Sequence, residues 1–306
     1  MARAHGKLIL LGEHAVVYGV PAIAVGISAG VTAEAALAES SSLALGELRA
    51  AAADDSELGR AFSALLRALS APPVRVEVTL GMPVGSGLGA SAAIGVAIAK
   101  SVLECLHPHE HEHEHEHEGR VLEAAGAWEN VFHGSASGID AAAAFHGGCL
   151  WFRKGEGVSP IPLGADLSLC VALAGPPAST RLMVESVARL RARRTELVDK
   201  SLDGIRSLVE NARLAIAAGD VRSLGKLMDL NQMILSGLFV STDEIESACE
   251  AARSAGALGA KLTGAGGGGA VVALVEDDPE PVLAAFGGLG LKCFAARVSQ
   301  VPGGKS

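Results

Sequence analysis

The sequence predicts a two-domain protein of the α+β class. The chain has 306 residues, which allows two domains of ordinary size, and 49% of them are apolar, enough for a buried core. Strand-like and helix-like segments are mixed without the regular alternation that a parallel, doubly wound sheet requires. Three glycine-rich segments each occur where a strand should meet a turn, and glycine lets a ligand approach the backbone closely there.

The first half of the chain is predicted to contain three strands and two helices. Branched apolar residues between glycines predict strands at 7–11 and 23–35, and the alternation over 74–80 is typical of a half-buried strand. Apolar residues recur at helical spacing over 91–106, directly after a glycine loop, so that loop should open a helix. A second helix is predicted over 120–132.

The second half is predicted to contain exposed helices and a pair of strands around glycines. The segment 168–173 reads as a buried strand, and 181–219 is amphipathic and rich in Arg and Glu, as solvent-facing helices are. Strands are predicted at 258–263 and 270–275, with a glycine loop between them.

The domain boundary is predicted within 155–165, where Pro160 and Pro162 interrupt any periodic pattern. The N-terminal domain would then comprise residues 1–163 and the C-terminal domain residues 164–306.

Charge and cysteine content exclude several classes of protein. A formal net charge of −9 and a sequence pI near 5.6 argue against a nucleic-acid or membrane partner. The five cysteines are widely spread and form no CxxC pair, which predicts neither a disulfide framework nor a zinc site. The apolar run 8–11 is too short for a signal peptide, so we expect a cytoplasmic protein.

The middle glycine segment, 83–91, is predicted to bind an anion. Its glycines would crowd backbone amides around the ligand, and the helix that follows points the positive end of its dipole at the same place. Ala90 and Ser91 follow the last glycine where a Walker loop needs Lys and then Ser or Thr. A dinucleotide fingerprint fits loosely, but Glu104 would lie inside the helix rather than after the next strand. A packed turn of small residues is the alternative.

The three glycine segments together resemble the GHMP family of small-molecule kinases. They run from Gly6 to Gly19, from Pro83 to Ala93 and from Lys261 to Gly269, so the resemblance spans nearly the whole chain. It implies an N-terminal domain that binds ATP, carries the catalytic groups and has a fold similar to domain 2 of ribosomal protein S5. It also implies a ferredoxin-like C-terminal domain that closes the substrate cleft.

The first segment is similar to that of family members that act on mevalonate. It reads Gly-Glu-His-Ala-Val-Val-Tyr-Gly over 12–19, whereas galactokinases carry Thr-Asp after the Glu-His pair and phosphomevalonate kinases usually carry Tyr in place of His14. The resemblance implies ATP-dependent phosphorylation of the primary hydroxyl of mevalonate, with Mg²⁺, by a homodimer. The alternatives are a kinase for phosphomevalonate or a sugar, and a non-catalytic protein that binds a metabolite or metal.

The resemblance also assigns nucleotide and metal contacts. Those for the nucleotide are Pro83, Gly85, Ser86, Gly87, Leu88, Gly89, Ala90 and Ser91. Ser91 and Glu129 would hold Mg²⁺. Without the family spacing, Glu129 would be interpreted as a surface residue of a helix.

Asp140 matches the catalytic aspartate of the family, and Lys7 matches the lysine beside it. A carboxylate can accept the proton of a substrate hydroxyl, and a neighbouring ammonium would keep it ionised and stabilise a developing alkoxide. Without the other motifs, Asp140 would be interpreted as a turn residue or helix cap and Lys7 as a solvated strand end.

Four residues are predicted to bind the substrate: Glu13, His14, Thr180 and Gly266. The Glu-His pair could otherwise be a cap with a structural histidine, and Thr180 could be the start of a helix or a group that fixes Asp140. The late glycine loop has no charged side chain, so its role would be one of shape.

The run of alternating His and Glu over 107–118 is the remaining unusual segment. Imidazole and carboxylate groups could bind Zn²⁺ or Ni²⁺ weakly. Because the run lacks apolar residues, we interpret it as a solvated, disordered loop that joins two helices.

Overall fold

The computed structural model describes residues 1–83, 87–107, 114–133 and 138–299. Its strands are β1 (Ala2–Leu11), β2 (Ala22–Leu37), β3 (Ser42–Leu45), β4 (Leu48–Ala51), β5 (Val74–Leu80), β6 (Cys149–Arg153), β7 (Gly157–Ile161), β8 (Leu167–Leu173), β9 (Gly259–Thr263), β10 (Ala270–Val275) and β11 (Cys293–Val298). Its α-helices are α1 (Glu57–Ala68), α2 (Ala90–Leu106), α3 (Glu114–His133), α4 (Ile139–His146), α5 (Thr180–Arg193), α6 (Thr195–Ala218), α7 (Val221–Gly237), α8 (Asp243–Ser254) and α9 (Glu280–Gly288). A short 3₁₀ helix covers Ala15–Tyr18.

The chain forms two compact units, and β1 and β2 each contribute to both. The described residues of the first unit are 1–7, 29–83, 89–107, 114–133 and 138–147. Those of the second unit are 8–28, 87–88 and 148–299.

The first unit packs four helices with a small mixed sheet. In the sheet, β3 pairs antiparallel with β4 and parallel with β5, and β5 pairs antiparallel with the end of β2. Every second residue of β5 is buried, as expected of a strand with one face against a core. Helix α3 packs against α1, α2 and α4, and its Trp128 is almost fully buried.

The second unit is built around a four-stranded antiparallel sheet in the order β11-β8-β10-β9. Every residue of β9 and β10 is buried, because α7 and α8 pack against this part of the sheet. Helix α6 packs between α5 and α7. Separately, β6 pairs with β7 and with the first residues of β2.

The α+β class is confirmed, and each predicted strand and helix is present. One expectation was wrong in detail. Helix α3 begins at Glu114, so the end of the His/Glu run is helical, and residues 108–113 of that run lie outside the described residues. The stretch 155–165 contains a strand, β7, in which Pro160 is tolerated at the edge of a ladder. The domain boundary at 163 and 164 stays a prediction. None of the described helices has both the length and the apolar content that crossing a membrane requires.

Candidate active site

Lys7 and Asp140 form an ion pair in the first unit. Lys7 Nζ lies 2.9 Å from Asp140 Oδ1. The lysine side chain is 10% exposed and that of the aspartate 37%, so the carboxylate is the member of the pair that a solute can reach. Asp140 lies in the first turn of α4, where the helix dipole favours a negative charge. The structure therefore brings together the two predicted catalytic residues.

The described end of the middle glycine segment, which is predicted to be a phosphate loop, lies against Lys7. Gly89 is the N-cap of α2 and has a left-handed φ of 71°. A methyl group in its place would lie 3.1 Å from Lys7 Cβ, so close an approach favours glycine. Gly87 is also left-handed and Leu88 is buried, whereas Gly85 and Ser86 lie outside the described residues.

Ser91 and Glu129 also meet, as the resemblance implies. Ser91 lies in the first turn of α2, and its hydroxyl donates a hydrogen bond to Glu129 Oε1 on α3. Glu129 is buried, which is unusual for a glutamate on a helix. Their two helices approach closely because Gly95 of α2 faces Trp128 of α3.

Lys100 was not predicted as a site residue, but it contacts the helix that carries Asp140. It is the one charged residue in an apolar stretch of α2, and this isolation was the signal available in the sequence. Its Nζ donates to Phe145 O at 2.9 Å and lies 4.0 Å from the centre of the Phe145 ring. Burial lowers the pKa of Lys100 to about 8, opposed by the charge of Glu104. Lys100 thus holds the C-terminal end of the helix that carries Asp140.

Glu13 is held in a buried polar network of the second unit. Lys261 Nζ donates to Glu13 Oε1 and also to Leu262 O at 2.5 Å. Asn231 Nδ2 lies 3.4 Å from Glu13 Oε2. Burial lowers the pKa of Lys261, and the neighbouring Glu13 carboxylate opposes this effect. The sequence suggested no partner for Glu13.

His14 has an uncommon backbone conformation, with a φ of 60°. Its Nε2 lies 2.8 Å from Ala265 O, which can only accept, so the neutral ring must carry its proton on Nε2. Burial lowers the pKa of His14, opposed by this hydrogen bond and by the charge of Glu13. The neutral ring then has Nδ1 as a hydrogen-bond acceptor, which suits contact with a hydroxyl.

Gly266 and Thr180 also belong to the second unit. Gly266 has a φ of 76°, and a methyl group there would collide with Val240 O, so glycine is required for packing. The amide of Gly267 donates to the same oxygen at 2.8 Å. Thr180 is the exposed first residue of α5, which agrees with a helix start. Substrate contact by either residue stays a prediction.

Two family models match the chain. The model of the N-terminal domain of GHMP kinases matches residues 56–148, and the model of the C-terminal part of GHMP kinases matches residues 212–290. The first matched range includes Asp140, and the second includes Lys261 and Gly266.

Curated relatives and a solved structure give a finer comparison. The chain is 34% identical to the mevalonate kinase of Thermococcus gammatolerans over 94% of this chain and 92% of that protein. It is 36% identical to the mevalonate kinase of Aeropyrum pernix over 90% of this chain and 88% of that protein. The crystal structure of L. major mevalonate kinase in complex with R-mevalonate matches with a TM-score of 0.86 and 28% identity, over 97% of this chain and 95% of that one.

Proposed function

The chain belongs to the GHMP kinase family and, within it, to the mevalonate kinases, and on this premise we propose that it phosphorylates mevalonate with ATP. The phosphoryl acceptor is the primary hydroxyl, and the products are 5-phosphomevalonate and ADP. The observation that carries the proposal is the Lys7–Asp140 ion pair beside Gly89, because it joins a reachable carboxylate and an ammonium to the end of a phosphate loop.

Asp140 and Lys7 have complementary roles in the proposed reaction. As the hydroxyl oxygen forms its bond to the γ-phosphorus, the bond to the β–γ bridging oxygen of ATP breaks and ADP leaves. The Asp140 carboxylate accepts the hydroxyl proton, and the Lys7 ammonium stabilises negative charge that develops on the attacking oxygen. The α4 N-terminus and Lys100 keep Asp140 in place.

Ser91 and Glu129 would hold Mg²⁺, which neutralises charge on the nucleotide phosphates when bound. The two residues fit this ion because both offer oxygen and already contact each other at the N-terminus of α2. The described residues contain no cluster of three or more His, Cys, Asp and Glu side chains suited to a metal. Two protein ligands are consistent with Mg²⁺, which usually completes its coordination shell with phosphate oxygens and water.

Glu13 and His14 are proposed to contact the alcohol substrate. The neutral His14 ring can accept a hydrogen bond at Nδ1 from a substrate hydroxyl, because Nε2 is engaged by Ala265. Glu13 supplies a carboxylate whose position is fixed by its buried partners. A homodimer in the cytoplasm is also proposed, the first from family resemblance and the second because all five cysteines are free thiols.

The test is ADP release with MgATP and three acceptors, namely mevalonate, 5-phosphomevalonate and galactose, in the absence of added transition metals. Turnover on mevalonate alone is expected. Turnover on another acceptor would keep the kinase mechanism and overturn the substrate. No turnover on any of the three would favour the non-catalytic alternative.

A further inference from the structure

We propose that Lys261 is a positioning residue that holds Glu13, and through it the His14 turn, in the geometry that binds the alcohol substrate. The inference rests on the proposed function for the identity of that substrate. It gives a role to a residue for which the sequence predicted none.

The Lys261–Glu13 ion pair is almost completely buried. The side chains are 0% and 1% exposed, and the residues are 248 positions apart in the chain. Removing two charges from water is so unfavourable that well-packed apolar residues of similar size would often serve the fold equally well. A fixed orientation of the Glu13 carboxylate is what the charged pair provides and an apolar pair would not.

Both carboxylate oxygens of Glu13 have a donor. Lys261 donates to Oε1 and Asn231 to Oε2, so the plane of the carboxylate is defined. Asn231 is fully buried, and its Oδ1 has no hydrogen-bond partner in the described part of the chain. A buried amide with one end unpaired is unfavourable for folding, which again indicates that its contact with Glu13 is the reason for an amide there.

Strand β9 makes hydrogen bonds to two residues that precede His14, namely Ile9 and Glu13. Lys261 and Thr263 are two residues apart, so their side chains lie on the same face of the strand. Thr263 Oγ1 donates to Ile9 O and accepts from Ile9 N, both at 3.0 Å, while Lys261 binds Glu13. The strained His14 follows directly, so its ring position depends on these anchors.

The experiment compares Lys261→Met, Glu13→Leu and the double variant, with the exposed Lys292→Met of the same unit as the matched control. We expect Lys261→Met to raise KM for mevalonate about 10- to 100-fold, as a displaced binding group does, with KM for ATP unchanged. In the Glu13→Leu background, where residue 13 has no acceptor for Lys261, the same substitution should not raise KM for mevalonate further, because Lys261 acts through Glu13. An unchanged KM in the single variant, or an equal further rise in the double variant, would overturn the proposal.

Hydrogen exchange provides a readout that needs no turnover and covers the case in which Lys261→Met does not fold. Lys261→Gln, which removes the charge but keeps an amide donor, is the second variant. Peptides that cover 12–19 should exchange faster than in the wild type, while those of β10 should not change. Unchanged exchange at 12–19 would overturn the role of Lys261. Absence of turnover of mevalonate by the wild-type protein would instead overturn the proposed function.

Discussion

Asp140 is the single residue on which the proposed transfer depends most directly. Replacing it by Asn keeps its size but removes the proton acceptor and the charge opposite Lys7. We expect kcat to fall by about 10²- to 10⁴-fold, the usual contribution of a general base, with ATP affinity retained. Asp55→Asn, the same change at an exposed position of the first unit, should have no effect. A kcat for Asp140→Asn close to that of the wild type would contradict the mechanism.

His14 makes the free energy of unfolding depend on pH. Its pKa is lowered in the folded protein, so below its ordinary value of 6.5 the unfolded chain binds more protons than the folded one. Stability rises with pH where the unfolded state is the more protonated, so the contribution of His14 is complete above pH 6.5 and is lost as the pH falls. Asn tolerates a positive φ and does not titrate.

Urea unfolding of the wild type and of His14→Asn at pH 7.5 and 5.5 measures this difference. The wild type should lose more stability between the two pH values than the variant does. Equal losses would show that His14 titrates alike in both states.

The functional residues that could be predicted from the sequence and those that could not differ in the signal that the sequence offers for them. Lys7 and Asp140 were found because family motifs contain both, and the structure places them together. Lys261 and Lys100 were missed as functional residues because their partners are distant in the chain. A lysine within an apolar strand or helix indicates a buried partner, but it does not identify which carboxylate or carbonyl that partner is.

At the scale of elements, the approach of α2 to α3 sets the Ser91–Glu129 contact. A methyl group on Gly95 would lie 2.9 Å from Trp128 Cδ1, which is closer than packed atoms tolerate. Gly95→Ala should destabilise the fold by about 1–3 kcal/mol, the usual effect of overpacking, and raise the Mg²⁺ concentration needed for half-maximal activity. Thermal unfolding and a Mg²⁺ titration measure the two effects.

Gly126→Ala on α3 is the matched control, since nothing lies within 4 Å of a methyl group there. It should stabilise the protein by about 0.5–1 kcal/mol, because alanine favours a helix more than glycine does. Similar behaviour of the two variants would show that the helices do not meet through Gly95.

Elements with a clear period could be predicted from the sequence, whereas others, including the 17-residue helix α7, were missed. The periodicity of α2 and the alternation in β5 extend over several repeats, and both were predicted within one residue. Strands β3 and β4 have four residues each, too few for a pattern. Helix α1 was also missed, although Ser56 directly before it is a preferred N-cap residue. In the structure the Ser56 side chain accepts a hydrogen bond from the amide of Gly59.

At the scale of the whole molecule, neither unit is a continuous stretch of chain. Residues 8–28 belong to the second unit although more than a hundred residues separate them from 148–299. They bring several fully buried apolar residues and Glu13, the partner of Lys261. Sequence patterns predict boundaries from local breaks, so a unit completed by an N-terminal segment cannot be recognised in this way.

A fragment of residues 148–299 should therefore unfold at a much lower urea concentration than the full chain. It loses the pairing of β6 with β2 and leaves Lys261 without its carboxylate. Breaking a buried ion pair costs about 3–5 kcal/mol, a large share of the total stability of about 5–15 kcal/mol typical of domains. Lys261→Met should thus have opposite effects: it destabilises the full chain by breaking the pair and stabilises the fragment by removing an unpaired charge. Urea titrations of the full chain and of the fragment, each with and without Lys261→Met, measure both changes in stability by circular dichroism. Destabilisation of the fragment by Lys261→Met would show that Glu13 is not the partner that makes this buried lysine tolerable.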